Sequence, residues 1–173
     1  MKSPTMPLVV FTTAGILIAL ALLLPVKLNW YTDSLPRGIY WKLDLGTVKK
    51  GMYAATCLND GLIQHGLERG YVPTFTSDDC THGHYALGKQ IYGVPGDVIR
   101  IDDAGQIIVN EQATSLSRLS ADSQGRAMPV IESTYTLQPG QYWLMSSYKS
   151  NSWDSRYWGP VGIDYQLTPI ITW

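Results

Sequence analysis

Residues 86–101 read Ala86-Leu-Gly-Lys-Gln-Ile-Tyr-Gly-Val-Pro-Gly-Asp-Val-Ile-Arg-Ile101. Two short runs rich in β-branched and aromatic residues flank Gly93-Val-Pro-Gly-Asp97. Proline pre-sets φ and glycine accepts φ > 0, so Gly93, Pro95, Gly96 and Asp97 mark a turn, with a hairpin as the expected form. Alternation in the first run puts Lys89 on one face with Leu87 and Ile91. A lysine there is either a solvent-facing strand residue or an amine held out of water.

Outward from this stretch the pattern repeats. Gly38–Leu43, Ala86–Tyr92, Val98–Ile101, Gln106–Val109, Thr134–Leu137 and Gln141–Ser146 all read as short strands. Asp103-Ala-Gly105 and Gln138-Pro-Gly140 supply further turns. The expected fold is mainly β, with packed, coiled antiparallel sheets. One segment, Asn59–Arg69, has helical spacing, with Leu62, Ile63 and Leu67 on one side. Residues 111–130 are polar and lack a period, and are expected to form a mobile connection. No internal repeat is evident.

The chain has 173 residues, enough for one membrane anchor and one compact domain. Charged residues make up 16% and the net charge is -1, so no basic field points to nucleic acid. Residues 8–26 carry no charge and as a helix would be about 28 Å long, close to a bilayer's hydrocarbon core. A cleaved signal peptide is the competing reading, but its apolar core would be shorter and end at a small-x-small site. The expected organisation is an anchor over 1–29 and a β-domain over 30–173. Trp30 and Tyr31 suit the membrane interface.

There are two cysteines, Cys57 and Cys80. A disulfide between them would close a Gly-rich insertion over 57–80 and contribute about 3.4 kcal/mol in the chain-entropy model. Two buried thiols are the alternative. A disulfide implies an oxidising compartment, so 30–173 would be periplasmic in a bacterium, with the anchor single-pass in the inner membrane. His82 and His84 follow Cys80 as Cys-x-His-x-His. No second ligand cluster matches it, and neither a metal site nor another cofactor is expected.

Two further stretches carry chemistry. Ser34-Leu-Pro-Arg-Gly38 follows the apolar segment closely, and Ser152-Trp-Asp-Ser-Arg-Tyr-Trp-Gly-Pro-Val-Gly162 lies near the C-terminus. Each has an ordinary reading alone: a turn, a solvated lysine, a surface ion pair. Together, in this order behind an apolar segment, they resemble the bacterial type I signal peptidase family. That resemblance rests on the serine after the membrane, Lys-x-x-x-Gly-x-Pro-Gly-Asp, and Ser-x-Asp-Ser-Arg-x-x-Gly-Pro-Val. The Ser-x-Pro-x-Gly-x-Tyr form, single anchor, small size and two cysteines resemble the TraF-type branch, the conjugative-transfer peptidases that mature pilin subunits. Departures from the usual signal peptidase pattern are Leu35 after the serine, Gln90 after the lysine, and Ser146–Asn151 in place of Gly-Asp-Asn.

The resemblance implies sheets of signal-peptidase type and a Ser/Lys dyad of Ser34 and Lys89. A serine hydroxyl needs a base, and a lysine serves as one only when burial lowers its pKa. The Ser34 N–H and Thr32 hydroxyl would form the oxyanion hole. By resemblance Ser152 would orient the Lys89 amine, with Asp154 and Arg156 bracing the site. Only about eight residues separate Val26 from Ser34, so the substrate is expected to be membrane-tethered: a pilin or preprotein met at the lipid bilayer, within a conjugative transfer apparatus. A general signal peptidase and a non-enzymatic anchored module remain the alternatives.

Overall fold

The strands on either side of the 93–97 turn do not pair with each other. The computed structural model describes residues 24–30 and 32–173. Its strands are β1 (Val26–Asn29), β2 (Gly38–Leu43), β3 (Tyr53–Thr56), β4 (Leu87–Gly93), β5 (Val98–Ile101), β6 (Gln106–Val109), β7 (Gln112–Ser117), β8 (Thr134–Thr136), β9 (Trp143–Met145) and β10 (Tyr165–Thr172). Among the described residues there are also two helices, α1 (Asp60–Glu68) and α2 (Ser155–Trp158), and a 3-10 turn at Thr81–Gly83. The fold is mainly β, as expected.

One sheet runs β1-β2-β10-β3-β4-β9 and the other β7-β6-β5-β8, with antiparallel pairing throughout. The 93–97 turn therefore carries the chain from one sheet to the other, and the expected hairpin is corrected to a crossover. Asp97 explains why. Its carboxylate accepts from the Val94 N–H at 2.9 Å, closing the turn, and from Asn110 Nδ2 at 2.6 Å, tying it to the β6–β7 corner. Gly93 sits where the sheets meet: a Cβ there would lie 2.8 Å from Leu137 Cδ1 and 2.9 Å from Ile99 Cδ1.

The inter-sheet core is Ile99, Ile101, Ile107, Val109, Leu116, Leu137, Trp143 and Met145. A second cluster, Ile63, Val72, Met128, Trp153, Tyr157 and Trp158, packs α1 against the stretch after Ser152. The helix forms where its spacing predicts, with Asn59 as N-cap accepting from the Leu62 N–H at 3.0 Å.

Two boundaries are corrected. Residues 111–130 are not a loose connection: β7 pairs with β6, and Ala121 bridges Ala127 across a turn centred on Asp122. The Asp122 carboxylate accepts from the Gln124 and Arg126 N–H groups, both at 2.9 Å, and from Arg126 Nε at 2.7 Å. The polarity of this segment is the hydrogen-bonding chemistry of a built turn. Val26–Asn29, counted with the anchor, are strand β1, paired with β2. The apolar stretch 8–26 lies outside the described residues as far as residue 23. Among the described residues, no helix is long and apolar enough to cross a membrane.

Candidate active site

The turn between β1 and β2 carries Ser34, and its shape is set by Asn29, the last residue of β1. Asn29 Nδ2 donates to the carbonyls of Thr32 at 3.0 Å, Leu35 at 3.2 Å and Pro36 at 3.1 Å. Its Oδ1 accepts from the Thr32 N–H at 3.4 Å. The Tyr40 hydroxyl donates to the Pro36 carbonyl at 2.5 Å. The turn ends at Gly38, where any Cβ would collide with the Ile171 carbonyl of β10. Inside this frame the Ser34 N–H donates to Thr32 Oγ1 at 3.2 Å, which leaves the Thr32 hydroxyl hydrogen free to point elsewhere. Ser34 Oγ lies 3.4 Å from Ser152 Oγ.

Lys89 stands in β4 opposite Ala54 of β3 and is 4% exposed. Burial pushes its amine down to about 8. Asp154 opposes that shift, and the positive charges of Arg156 and Lys149 add to it. At pH 7 about a tenth of the molecules therefore carry a neutral amine. Lys89, Ser34, Thr32 and Ser152 all line one cavity of about 270 Å³. Beside this cavity β4 has an open edge. Its ladder with β9 begins at Gln90 opposite Met145, whereas its ladder with β3 extends to Leu87.

Asp154 and Arg156 lie behind the cavity and do not line it. They are 0% and 1% exposed and form a two-point pair, Nε to Oδ1 and Nη2 to Oδ2, each 2.8 Å. The spare capacity of both groups is used on backbone. Asp154 Oδ2 accepts from the Ser146 N–H at 3.1 Å, and Arg156 Nη1 donates to the carbonyls of Ser117 at 2.9 Å and Ser150 at 2.7 Å. The pair thus joins the end of β9, the end of β7 and the segment that presents Ser152.

The insertion closed by Cys57–Cys80, bonded with Cα atoms 5.6 Å apart, forms one wall. His65 of α1 stacks on Trp153, ring centres 5.1 Å apart. At the insertion's far end Asp79, nearly enclosed, pairs with Lys27 of β1 and with Lys42 of β2 at 3.7 Å. The disulfide takes the Cys80 sulfur out of the Cys-x-His-x-His pattern. Gly93, Pro95, Gly96 and Asp97 do not line the cavity and shape the crossover.

Sequence reasoning passed over Asn29, Lys149 and the Leu119–Arg126 part of the cavity wall. Lys149 had no signal beyond its proximity in sequence to Ser152. It is exposed and lines the cavity near Lys89. Lys149→Glu should raise the pKa of Lys89, since an opposite charge replaces a like one. Activity requiring the neutral amine rises with pH through about 8 in the parent, and in the variant the rise moves to higher pH. The expected loss at pH 7 is about threefold at low ionic strength and shrinks with added salt. Superimposable pH profiles at low salt would remove Lys149 from the site's electrostatics.

Known proteins of two kinds resemble this chain. The signal peptidase family, peptidase S26, matches residues 6–167. The plasmid transfer protein TraF of Escherichia coli is 33% identical over 165 residues, covering 92% of this chain and 90% of its own. The conjugal transfer protein TraF of Agrobacterium fabrum is 31% identical over 134 residues, 75% of this chain and 72% of that protein. A probable signal peptidase I-2 of Synechocystis is 31% identical over 97 residues, 54% of this chain and 42% of its own.

Proposed function

The chain belongs to the signal peptidase family, peptidase S26, and from that premise we propose that it is a membrane-bound serine endopeptidase of conjugative transfer, with Ser34 as nucleophile and Lys89 as base. One observation carries the dyad: a lysine 4% exposed, its amine held near pKa 8, lining the same cavity as the Ser34 hydroxyl. The TraF relatives are named for plasmid and conjugal transfer. They favour a pilin precursor as substrate over the broad set of secreted preproteins that a general signal peptidase processes.

The chemistry follows from the groups present. An extended substrate adds along the open edge of β4 and brings its scissile carbonyl to Ser34. Lys89 takes the Ser34 proton as Oγ bonds to the carbonyl carbon, and Ser152 orients the amine. The tetrahedral oxyanion is held by the Thr32 hydroxyl and by the Ser34 N–H, which it shares with Thr32 Oγ1. Lys89 returns the proton to the leaving nitrogen, the C–N bond breaks, and an acyl ester on Ser34 remains. A water or an amine then attacks the ester carbonyl and gives its proton to Lys89, which passes it to Ser34 Oγ as the Oγ–acyl bond breaks. An amine held within the same molecule competes well, because intramolecular placement reaches effective molarities of about 10⁵ M. A pilin whose own N-terminus folds back would leave as a head-to-tail cyclic peptide.

The disulfide favours a periplasmic location for the β-domain. Bilayer proximity is favoured by the outer face of β1 and β2. Leu28 is 52% exposed there beside Ile39, and Trp41 is 36% exposed opposite Val26, close to the uncharged 8–26 stretch.

The test uses the full chain in membranes with a pilin precursor. Ser34→Ala should leave the precursor intact, and the parent protein should release a mature pilin lighter by one water than the linear peptide of the same sequence. Cleavage by Ser34→Ala would overturn the dyad. A product of linear mass only would leave a peptidase and remove cyclisation.

A further inference from the structure

We propose that Asn29 is the positioning residue of the oxyanion hole, setting the Ser34 N–H and the Thr32 hydroxyl through the backbone of their turn. This rests on the peptidase reading above and adds to it a residue outside every motif that the sequence displays.

A five-residue turn needs bonds to hold one shape. Thr32–Pro36 contains no ladder hydrogen bond of its own, and a turn without one samples several shapes. Asn29 supplies the missing bonds from a single point. Its amide donates to a carbonyl before Ser34, that of Thr32, and to two after it, those of Leu35 and Pro36. Its oxygen accepts the Thr32 N–H. Asn29 is itself anchored as the last residue of β1, paired with Gly38 at the start of β2, and it is 9% exposed. The side chain therefore fixes both ends of the turn to the strands that bracket it.

Consequences reach the reacting atoms through one further bond. The Ser34 N–H donates to Thr32 Oγ1 at 3.2 Å. Two groups proposed to meet the oxyanion are thus bonded to each other, and the position of the Thr32 backbone is determined on both its N–H and its carbonyl by Asn29. A donor displaced by about 1 Å no longer meets the developing charge, though substrate still binds along β4. The effect belongs in kcat, with little change in KM.

Asn29→Asp is the informative variant. It keeps the oxygen that accepts the Thr32 N–H and replaces the donor by an oxygen facing three carbonyls. Cleavage of a pilin-precursor peptide is measured with the full chain in detergent or nanodiscs. The expected result is a fall in kcat of about 10²-fold, the scale of a lost oxyanion donor, with KM within about threefold. Thr32→Val removes the hydroxyl and keeps the shape. In that background Asn29→Asp should cost much less, because both changes disable the same donor pair.

Several outcomes overturn the assignment: kcat within about threefold of the parent, equal losses in the parent and Thr32→Val backgrounds, or a loss that follows only a lowered melting temperature. Ser34→Ala is assayed in parallel. If it is dead while Asn29→Asp is fully active, the positioning role fails alone. If Ser34→Ala retains activity, both readings fail together.

Discussion

Lys89→Met should abolish precursor cleavage and at the same time raise the protein's melting temperature at pH 7. Methionine has a similar length and no charge, so it fills the space of the side chain without its cost. In the unfolded chain this lysine titrates at 10.5, and in the folded chain at about 8. Between those values the unfolded chain holds a proton that the folded one has shed, so stability rises with pH across that window. Below pH 8 the full cost of enclosing the amine applies, on the order of 3 kcal/mol. Melting curves at pH 7 and pH 10 should therefore show Lys89→Met well above the parent at the first and nearer to it at the second. Cleavage should fall by about 10⁴-fold or more, with Ser34→Ala/Lys89→Met no worse than either single variant, as expected of two groups acting as a unit. Lys89→Arg should be equally inactive and less stable than the parent, because a guanidinium cannot shed its proton. A Lys89→Met protein less stable than the parent at pH 7, or one that still cleaves, would overturn this account.

The second large effect is expected at Arg156. Arg156→Met leaves the Asp154 carboxylate enclosed without its partner, and breaking a buried pair from one side costs about 3–5 kcal/mol. The segment that presents Ser152 also loses its tie to Ser117 and Ser150, so activity should fall further than the loss of folded protein explains. Adding Asp154→Leu should recover part of the stability, since no buried charge then remains. The recovery stays partial because Asp154 also caps α2 through the Arg156 N–H and receives the Ser146 N–H. Urea midpoints of the parent and these two variants check this ordering. A single variant within about 1 kcal/mol of the parent would mean that water reaches the pair.

Much of the architecture could be read from residue pattern. Gly38–Leu43, Val98–Ile101 and Gln106–Val109 are strands with the expected bounds, and the capped helix lies where its apolar side predicted. What escaped has a physical reason in each instance. Tyr53–Thr56 holds two alanines, poor strand formers, and is a strand because β4 and β10 pair with it on both sides. Tyr165–Thr172 contains Pro169, which speaks against an interior strand. The structure accommodates it at a register shift between Pro169 and Ile171. The site divides in the same way. Ser34, Lys89 and Ser152, singled out in the sequence for their residue types, line one cavity. Asn29 was not singled out, since its role lies in four bonds to backbone that only the folded turn brings within reach.

The strand order of the first sheet also sets a timetable. Ser34 belongs to the β1–β2 ribbon and Lys89 to the β3–β4 ribbon, and these do not pair with each other: β10 lies between them and bonds to both. The two halves of the chemistry are therefore synthesised early and joined late. On the proposed dyad, a chain translated past Lys89 carries both reacting groups but does not hold them in one cavity until β10 has paired with β2 and β3. Until then the nascent chain is inert towards other precursors and towards itself.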